Sequence, residues 1–168
     1  MDAAVVYETA WGNTRAVAQA VAEGMRGGLE VRLFEVSTAP AAHELAVELL
    51  VVGGPTHAFG MSRPNTRADA AGRGGDPSTT GIREWLAGAG PLSVRAAAFD
   101  THVRHPNLPG HAGRAAAKVL RLLGAELVAE PQSFYVQDAD GPLLEGELER
   151  ARAWGAELAG LLHQPVPA

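Results

Sequence analysis

Short apolar segments alternate with helix-type patterns along the whole chain. The candidate strands are rich in aliphatic and β-branched residues and lie at Ala3–Tyr7, Glu30–Val36, Leu49–Gly53, Ala96–Asp100 and Glu126–Val136, the last interrupted near Glu130-Pro131. Parallel strands that are covered on both faces have such nearly continuous apolar sequences, and helices connect them. The alternation therefore predicts an α/β domain built on a five-stranded parallel sheet.

Three segments between and after these strands have a helical period. After the first strand, an apolar stripe predicts a helix over Thr14–Arg26 that ends at Gly27-Gly28, with stripe residues Val17, Val21 and Met25. A second stripe ends at Gly124 and consists of Ala116, Val119, Leu120 and Leu123. A third extends to the C-terminal end through Leu144, Leu148, Ala151, Gly155, Leu158 and Leu162. Trp85 and Trp154 lie in helical stretches, where we expect them to pack in the core.

The segment Ser62–Gly81 has a different character. Arg63-Pro64-Asn65-Thr66 can start a short helix, but the many Gly, Asp and Pro residues that follow resist regular structure. We therefore expect a mobile excursion after the third strand, close to any ligand of the sheet. The chain has no linker that suggests a second domain, so residues 1–163 are expected to form one domain and residues 164–168 a frayed tail.

Composition narrows the function classes. The chain has 168 residues, 46% of them hydrophobic and 20% charged, with a formal net charge of −5 and no cysteine. No apolar run is long enough to span a membrane. Met1-Asp2 leads straight into a strand, whereas a secretory signal would have a basic segment before its apolar stretch. The negative net charge disfavours a nucleic-acid partner, because proteins that bind nucleic acid usually concentrate basic residues on one face. We expect a cytoplasmic protein without membrane or nucleic-acid partners. Because thiol chemistry is excluded, a redox role would need a cofactor.

The loop after the first strand has the properties of a phosphate site. It reads Glu8-Thr9-Ala10-Trp11-Gly12-Asn13-Thr14 and leads directly into a helix. A helix N-terminus offers unpaired N–H groups and partial positive charge to an anion. Gly12 permits a close backbone approach, and the hydroxyl and amide side chains can bond phosphate oxygens. The loop lacks the Lys of a nucleoside-triphosphate loop and the three glycines of a dinucleotide loop, so a monophosphate fits better.

At this loop the chain resembles the flavodoxin superfamily. Thr9 to Thr14 look like the family's Thr/Ser-x-Thr-Gly-x-Thr phosphate motif, with Trp11 where many members have Thr. Flavodoxin domains of flavodiiron proteins, and quinone reductases of the tryptophan-repressor-binding-protein type, often carry an aromatic residue there. In this position the chain resembles those two branches. The resemblance implies a doubly wound sheet of order 2-1-3-4-5 and FMN as cofactor, held by Thr9, Ala10, Trp11, Gly12, Asn13 and Thr14.

The third strand leads into a second loop with family character. Gly53-Gly54-Pro55-Thr56-His57-Ala58-Phe59-Gly60-Met61 resembles the Gly-x-Pro-Thr-x-Phe-Gly-x-Met loop of those quinone reductases, with one extra residue before Phe59. The resemblance implies an aromatic contact to the flavin ring from Phe59 and a redox-sensitive peptide at Gly60. The candidate contacts of this loop are Pro55, Thr56, His57, Phe59 and Gly60.

The fourth strand ends in Phe99-Asp100-Thr101-His102-Val103-Arg104-His105-Pro106, which lacks the Gly-rich sequence and the Tyr common in flavodoxins. Asp100, Thr101 and His102 are candidate flavin contacts, and Arg104, His105 and Asn107 are candidate rim residues. A metal site from His102, His105 and His111 is disfavoured, because prolines interrupt them and no helical pair exists. A hydrolytic triad is disfavoured because no Gly-x-Ser-x-Gly elbow is present.

Three hypotheses for the function remain open. The leading hypothesis is an FMN-binding redox protein that transfers electrons between protein partners. The alternative is an NAD(P)H-dependent quinone oxidoreductase, for which His57, His102 and Arg104 would be the residues to test. A third hypothesis is a flavodoxin-fold binding protein with weak or lost flavin binding. The sequence assigns no catalytic residue and no metal ligand.

Overall fold

The computed structural model describes residues 1–104 and 110–164. It contains six strands, β1 (Asp2–Tyr7), β2 (Glu30–Glu35), β3 (Leu49–Pro55), β4 (Arg95–Val103), β5 (Glu126–Leu127) and β6 (Gln132–Val136). The helices are α1 (Asn13–Met25), α2 (Pro64–Gly72), α3 (Ile82–Ala87), α4 (Ala112–Leu123) and α5 (Glu147–Leu162). Short 3-10 turns lie at Val36–Thr38 and Ala42–Glu44.

The sheet is parallel with the order β2-β1-β3-β4-β5, and β6 also pairs with β4. β5 pairs with the start of β4, at Arg95 and Ala96, and β6 pairs with its end, from Phe99 to Val103. The two short strands are thus one fifth strand interrupted around Glu130-Pro131. The predicted order 2-1-3-4-5, the flavodoxin-like fold class and the interruption are confirmed.

Two apolar cores lie on opposite faces of the sheet because successive strand residues point to opposite sides. In β1, Val5 faces the core covered by α1 and α5, while Val6 faces the core covered by α3 and α4. Phe99 of β4 and Trp154 of α5 meet edge to face, with ring centroids 6.1 Å apart. Trp154 is therefore a core residue, as expected, and Trp85 packs against the other core.

Helices α1 and α5 approach each other through glycine. A Cβ on Gly155 would lie 2.2 Å from the carbonyl oxygen of Val21, so only glycine permits this backbone contact. Because α1 follows β1 after a short loop, its N-terminus lies at the carboxyl end of that strand, where parallel sheets bind ligands.

Several boundaries differ from the sequence-based expectation. β4 continues three residues further, through Thr101, His102 and Val103, because β6 pairs with it there. α5 begins at Glu147 and not at Leu144, whose N–H bonds the carbonyl of Tyr135. The tail assigned to residues 164–168 lies, apart from Gln164, outside the described residues. Over the two described ranges, no helix is long and apolar enough to cross a membrane.

The excursion after β3 is more regular than its composition suggests. Pro64–Gly72 forms a helix with Pro64 in its first turn, a position that proline favours. The segment that follows is attached to the phosphate loop, since Asp76 N–H donates to the Ala10 carbonyl (2.8 Å) and Ser78 N–H donates to the Thr9 carbonyl (2.8 Å). The excursion thus lies beside the candidate ligand site, as its place in the topology predicts.

Candidate functional site

The phosphate loop ends in an uncapped helix N-terminus. Gly12 has φ of 90°, and no side chain among the described residues caps α1 there. Gly12 N–H donates to Thr9 Oγ1 at 3.0 Å, which closes the loop on itself. The first N–H groups of α1 have no intrahelical acceptor and point out of the helix end, where an anion could accept from them.

A hydroxyl pair joins this loop to the neighbouring strand. Thr14 Oγ1 lies 2.7 Å from Thr101 Oγ1, and both side chains are buried. Thr14 belongs to the first turn of α1 and Thr101 to the end of β4. The pair therefore fixes the distance between the phosphate loop and the fourth strand.

An inner cavity of about 100 Å³ opens beside this pair. It brings together candidate residues from all three predicted loops, namely Ala10, Trp11, Asn13, Thr14, Pro55, Thr56, His57, Thr101 and His102. Val103, Val136 and Ala139 complete its wall. The sequence predicted the first nine but missed the last three.

The missed residues Val136 and Ala139 flank the start of a loop after β6 that the sequence analysis did not consider. In the same loop Gly141, with φ of 106°, lies so near the phosphate loop that a Cβ there would be 2.8 Å from Asn13 Oδ1. The turn-forming sequence Asp140-Gly141-Pro142 at the carboxyl end of a parallel strand was the available signal.

An outer cavity of about 310 Å³ adjoins the inner one. The two cavities share Thr56, His102 and Val103. The outer one is lined further by Ala58, Phe59, Gly110 and His111. Together they form a cleft that extends from the phosphate loop to an apolar and aromatic mouth.

The turn at this mouth is conformationally unusual. His57 and Gly60 exchange backbone hydrogen bonds of 2.9 and 3.1 Å around the two central residues Ala58 and Phe59. These have φ of 48° and 67°, values that favour Gly or Asn. Phe59 is 53% exposed at the tip of the turn. Such strain is typical of functional loops.

Gly60 lies at the other end of this turn, and the redox-sensitive peptide expected there stays a prediction. Gly60 is not among the glycines with positive φ; the strained residues are Ala58 and Phe59. A Cβ on Gly60 would meet only the end of Arg83, at 3.9 Å. Gly60 therefore closes the turn by its backbone and does not line either cavity.

Asp100 lies behind the cleft and holds His102. It is 1% exposed, and its Oδ1 lies 2.7 Å from His102 Nδ1 while its Oδ2 accepts from Gly113 N–H at 2.8 Å. The imidazole of His102 stacks on that of His111, with ring centroids 4.7 Å apart and planes within 3°. Asp100 thus lines neither the inner nor the outer cavity, although His102 lines both.

His57 and Arg104 occupy different parts of the site. His57 lines the inner cavity, and its Nδ1 lies 3.1 Å from Thr66 Oγ1 of α2. Burial, assisted by the charge of Arg67, lowers the pKa of His57 and favours the neutral ring. Arg104 lies over the ring of Tyr135, 5.4 Å from its centroid. His105 and Asn107 lie outside the described residues.

A buried acid supports the phosphate loop from behind. Glu8 is 2% exposed and accepts from Ile82 N–H at 2.9 Å and from the Ser62 hydroxyl. Arg67 in turn donates to the Ser62 hydroxyl and forms an ion pair with Glu84. Burial is the largest effect on Glu8 and raises its pKa. No local sequence pattern indicates this network, because its members come from distant segments.

Comparison with known proteins agrees with this architecture. A family model described as flavodoxin matches residues 5–98. No curated protein sequence matches the chain. Among solved structures, an archaeal flavodoxin has a TM-score of 0.72 at 21% identity, covering 98% of this chain and 100% of that one. Flavodoxin 1 of Bacillus cereus has a TM-score of 0.69 at 16% identity, covering 98% and 100%.

A flavodoxin of WrbA-like type from Agrobacterium tumefaciens is also similar, with a TM-score of 0.58 at 18% identity and 96% coverage of both chains. The TM-scores of these three structures establish a shared fold. The family model matches more than half of the chain and covers the second half of β1, the loop from Thr9 to Thr14, β3 and the start of β4. The chain therefore belongs to the flavodoxin family.

Proposed function

We propose that the protein binds FMN in the cleft and serves as an electron-transfer flavoprotein. The observation that carries the proposal is the inner cavity, where the phosphate loop meets the loops after β3 and β4. When bound, FMN would supply one- and two-electron redox chemistry, and the protein would bind it and set its potential.

The residues present fit a flavin monophosphate. The uncapped N-terminus of α1, with Thr9, Asn13 and Thr14, would accept the phosphate without a lysine. The apolar mouth would take the ring, with Phe59 on one side and His102 and His111 on the other. This pair replaces the Gly-rich loop and the Tyr that the fourth loop lacks.

The sharpest test of the site compares FMN with riboflavin by quenching of flavin fluorescence. We expect FMN to bind much more tightly, because only FMN has the phosphate for the loop from Thr9 to Thr14. We expect no preference for FAD, since the loop suits a single phosphate. Equal affinity for FMN and riboflavin would contradict the phosphate role, and no binding of either would favour a fold that has lost its flavin.

An NAD(P)H-dependent quinone oxidoreductase is the second candidate. It is favoured by the outer cavity, which places exposed Phe59 beside His102 and so provides an apolar surface next to an ionisable group. Under this alternative, NADH or NADPH alone would bleach the bound flavin without oxygen, and a quinone would restore its colour. Bleaching that requires an added reductase would support the carrier.

A further inference from the structure

His102 lies at the junction of the two cavities, and its two ring nitrogens have different surroundings. Both Asp100 oxygens face N–H donors, with Oδ1 opposite His102 Nδ1 and Oδ2 opposite Gly113 N. Because a carboxylate accepts, Nδ1 carries the proton in neutral His102. Among the described residues Nε2 has no hydrogen-bond partner, so it is the atom that can exchange a proton with a molecule in the cleft.

Three neighbours fix the orientation of the His102 ring. His111 from the start of α4 stacks on one face, and Tyr135 of β6 meets it edge to face with centroids 5.3 Å apart. Asp100 on β4 holds the third side through a buried bond. A histidine fixed in orientation and tautomer by a buried carboxylate is suited to proton transfer.

The other ionisable groups nearby come from several elements. His57 lies across the inner cavity. Arg104 covers Tyr135, and Arg150 lies 5.7 Å from the centroid of the same ring while pairing with Glu147. A polar cavity of about 250 Å³ lies behind the Asp100–His102 pair. Arg114 and Glu130 line it together with Asp100 and His111. Of all these groups, His102 alone lines both the inner and the outer cavity.

We propose that His102 is a proton-transfer residue of the cleft, positioned by Asp100, and that it serves the two-electron reduction of a quinone-type acceptor. This inference rests on the proposed binding of FMN. The quinone gains two electrons and one proton from the reduced cofactor. Its second proton comes from Nε2 of protonated His102, as the N–H bond breaks and a quinone O–H bond forms. The imidazole keeps Nδ1–H on Asp100, and water protonates Nε2 again.

The role predicts a difference between acceptors. A quinone needs two protons for two electrons, whereas ferricyanide takes one electron and no proton. The FMN-loaded protein, reduced with dithionite, should therefore lose at least about tenfold in its rate with 1,4-benzoquinone when His102→Gln is introduced, since general acid catalysis is worth that much or more. Measured at saturating FMN, the ferricyanide rate should fall much less than the benzoquinone rate, because ferricyanide takes up no proton.

A separate readout uses the apoprotein. Nitrogen-15 NMR should show neutral His102 with its proton on Nδ1. In Asp100→Asn, the amide oxygen must face Gly113 N–H, so the NH₂ group faces His102 and the imidazole proton moves to Nε2. His102→Gln, at a less buried position, provides the kinetic test if Asp100→Asn does not fold. His43→Gln, an exposed histidine outside the cleft, is the matched control.

The outcomes separate the two proposals. Absence of FMN binding in the unmodified protein would overturn the proposed function and this inference with it. Normal FMN binding with equal losses toward both acceptors in His102→Gln would leave the function standing and reduce His102 to a wall of the cleft. Unchanged quinone reduction, or an Nε2–H tautomer in the unmodified protein, would likewise overturn the proton-transfer role.

Discussion

Thr14 and Thr101 meet through their hydroxyl groups at 2.7 Å, although 87 positions separate them in the chain. The pair connects the first turn of α1 to the end of β4 in a buried position. Thr14 is thereby held where its backbone N–H can serve the phosphate site. Two parts of the cleft, predicted separately from the sequence, share one hydrogen bond.

The first prediction concerns this pair. Thr14→Val should lower the free energy of unfolding of the apoprotein by about 1–3 kcal/mol, because the buried Thr101 hydroxyl loses its partner. Thr101→Val should have a similar effect on stability. The double variant should lose less than the sum, as measured by chemical denaturation. FMN affinity should fall more in Thr14→Val than in Thr101→Val, and equal affinity in both would argue against a Thr14 contact to phosphate.

The second prediction concerns the strained turn. Because Phe59 is half exposed, Phe59→Ala should change apoprotein stability little but weaken FMN binding by about 1–3 kcal/mol, the scale of an aromatic contact. Ala58→Gly should stabilise the apoprotein by about 1 kcal/mol through relief of positive φ. Gly60→Ala should be nearly neutral for the fold.

Melting curves and FMN titrations of the three variants check this assignment. If Phe59→Ala destabilised the apoprotein by several kcal/mol and left FMN binding normal, Phe59 would be a packing residue and not part of the site. A large effect of Gly60→Ala on the flavin potential, measured by redox titration, would support the redox-sensitive peptide expected at that glycine.

The third prediction tests the loop after β6. Gly141→Ala should weaken FMN binding because its Cβ would displace the flexible Asn13 side chain from the phosphate loop. Gly146→Ala is the matched control, since Gly146 also has positive φ but its Cβ would meet nothing within 4 Å. Both variants should lose about 1–2 kcal/mol of stability from backbone strain. An equal effect of both on FMN affinity would remove Asn13 from the site.

The fourth prediction follows from the buried acid behind the phosphate loop. Burial raises the pKa of Glu8 above its ordinary 4.5, so just above that pH the folded protein retains a proton that the unfolded chain has released. The free energy of unfolding should therefore fall as pH rises from 4.5 through the folded pKa. Glu8→Gln should lose this decline, while retaining an acceptor for Ile82 N–H.

Denaturation curves over this interval for Glu8→Gln, beside the exposed Glu30→Gln as control, measure the difference. The stability of Glu8→Gln relative to the unmodified protein should increase with pH, and that of Glu30→Gln should not. A parallel course for the unmodified protein and Glu8→Gln would show that Glu8 has no raised pKa.

Much of the architecture was available from local patterns. The apolar strands, the helix after Gly12 and the break at Glu130-Pro131 each depend on neighbouring residues, and their expected places agree with the structure. The sequence did not predict that the loop after β6 belongs to the cleft. Its place there depends on the proximity of Gly141 to Asn13, which no local pattern encodes. The local sequence around Glu8 is that of an ordinary loop carboxylate, because its hydrogen-bond donors Ser62 and Ile82 are distant in the chain.

The α/β class, the family resemblance and the candidate phosphate loop are predictable from residue order, because hydrophobic period, glycine placement and helix starts are local properties of the chain. Three-dimensional contacts were needed to show that Asp100 lies behind His102 and that His102 stacks on His111. The same is true of the positive φ values, which fall on Ala58 and Phe59 and not on Gly60. The two contacts of His102 depend on β6 extending β4 and on α4 packing beside it, so they arise between distant segments that residue order alone does not specify.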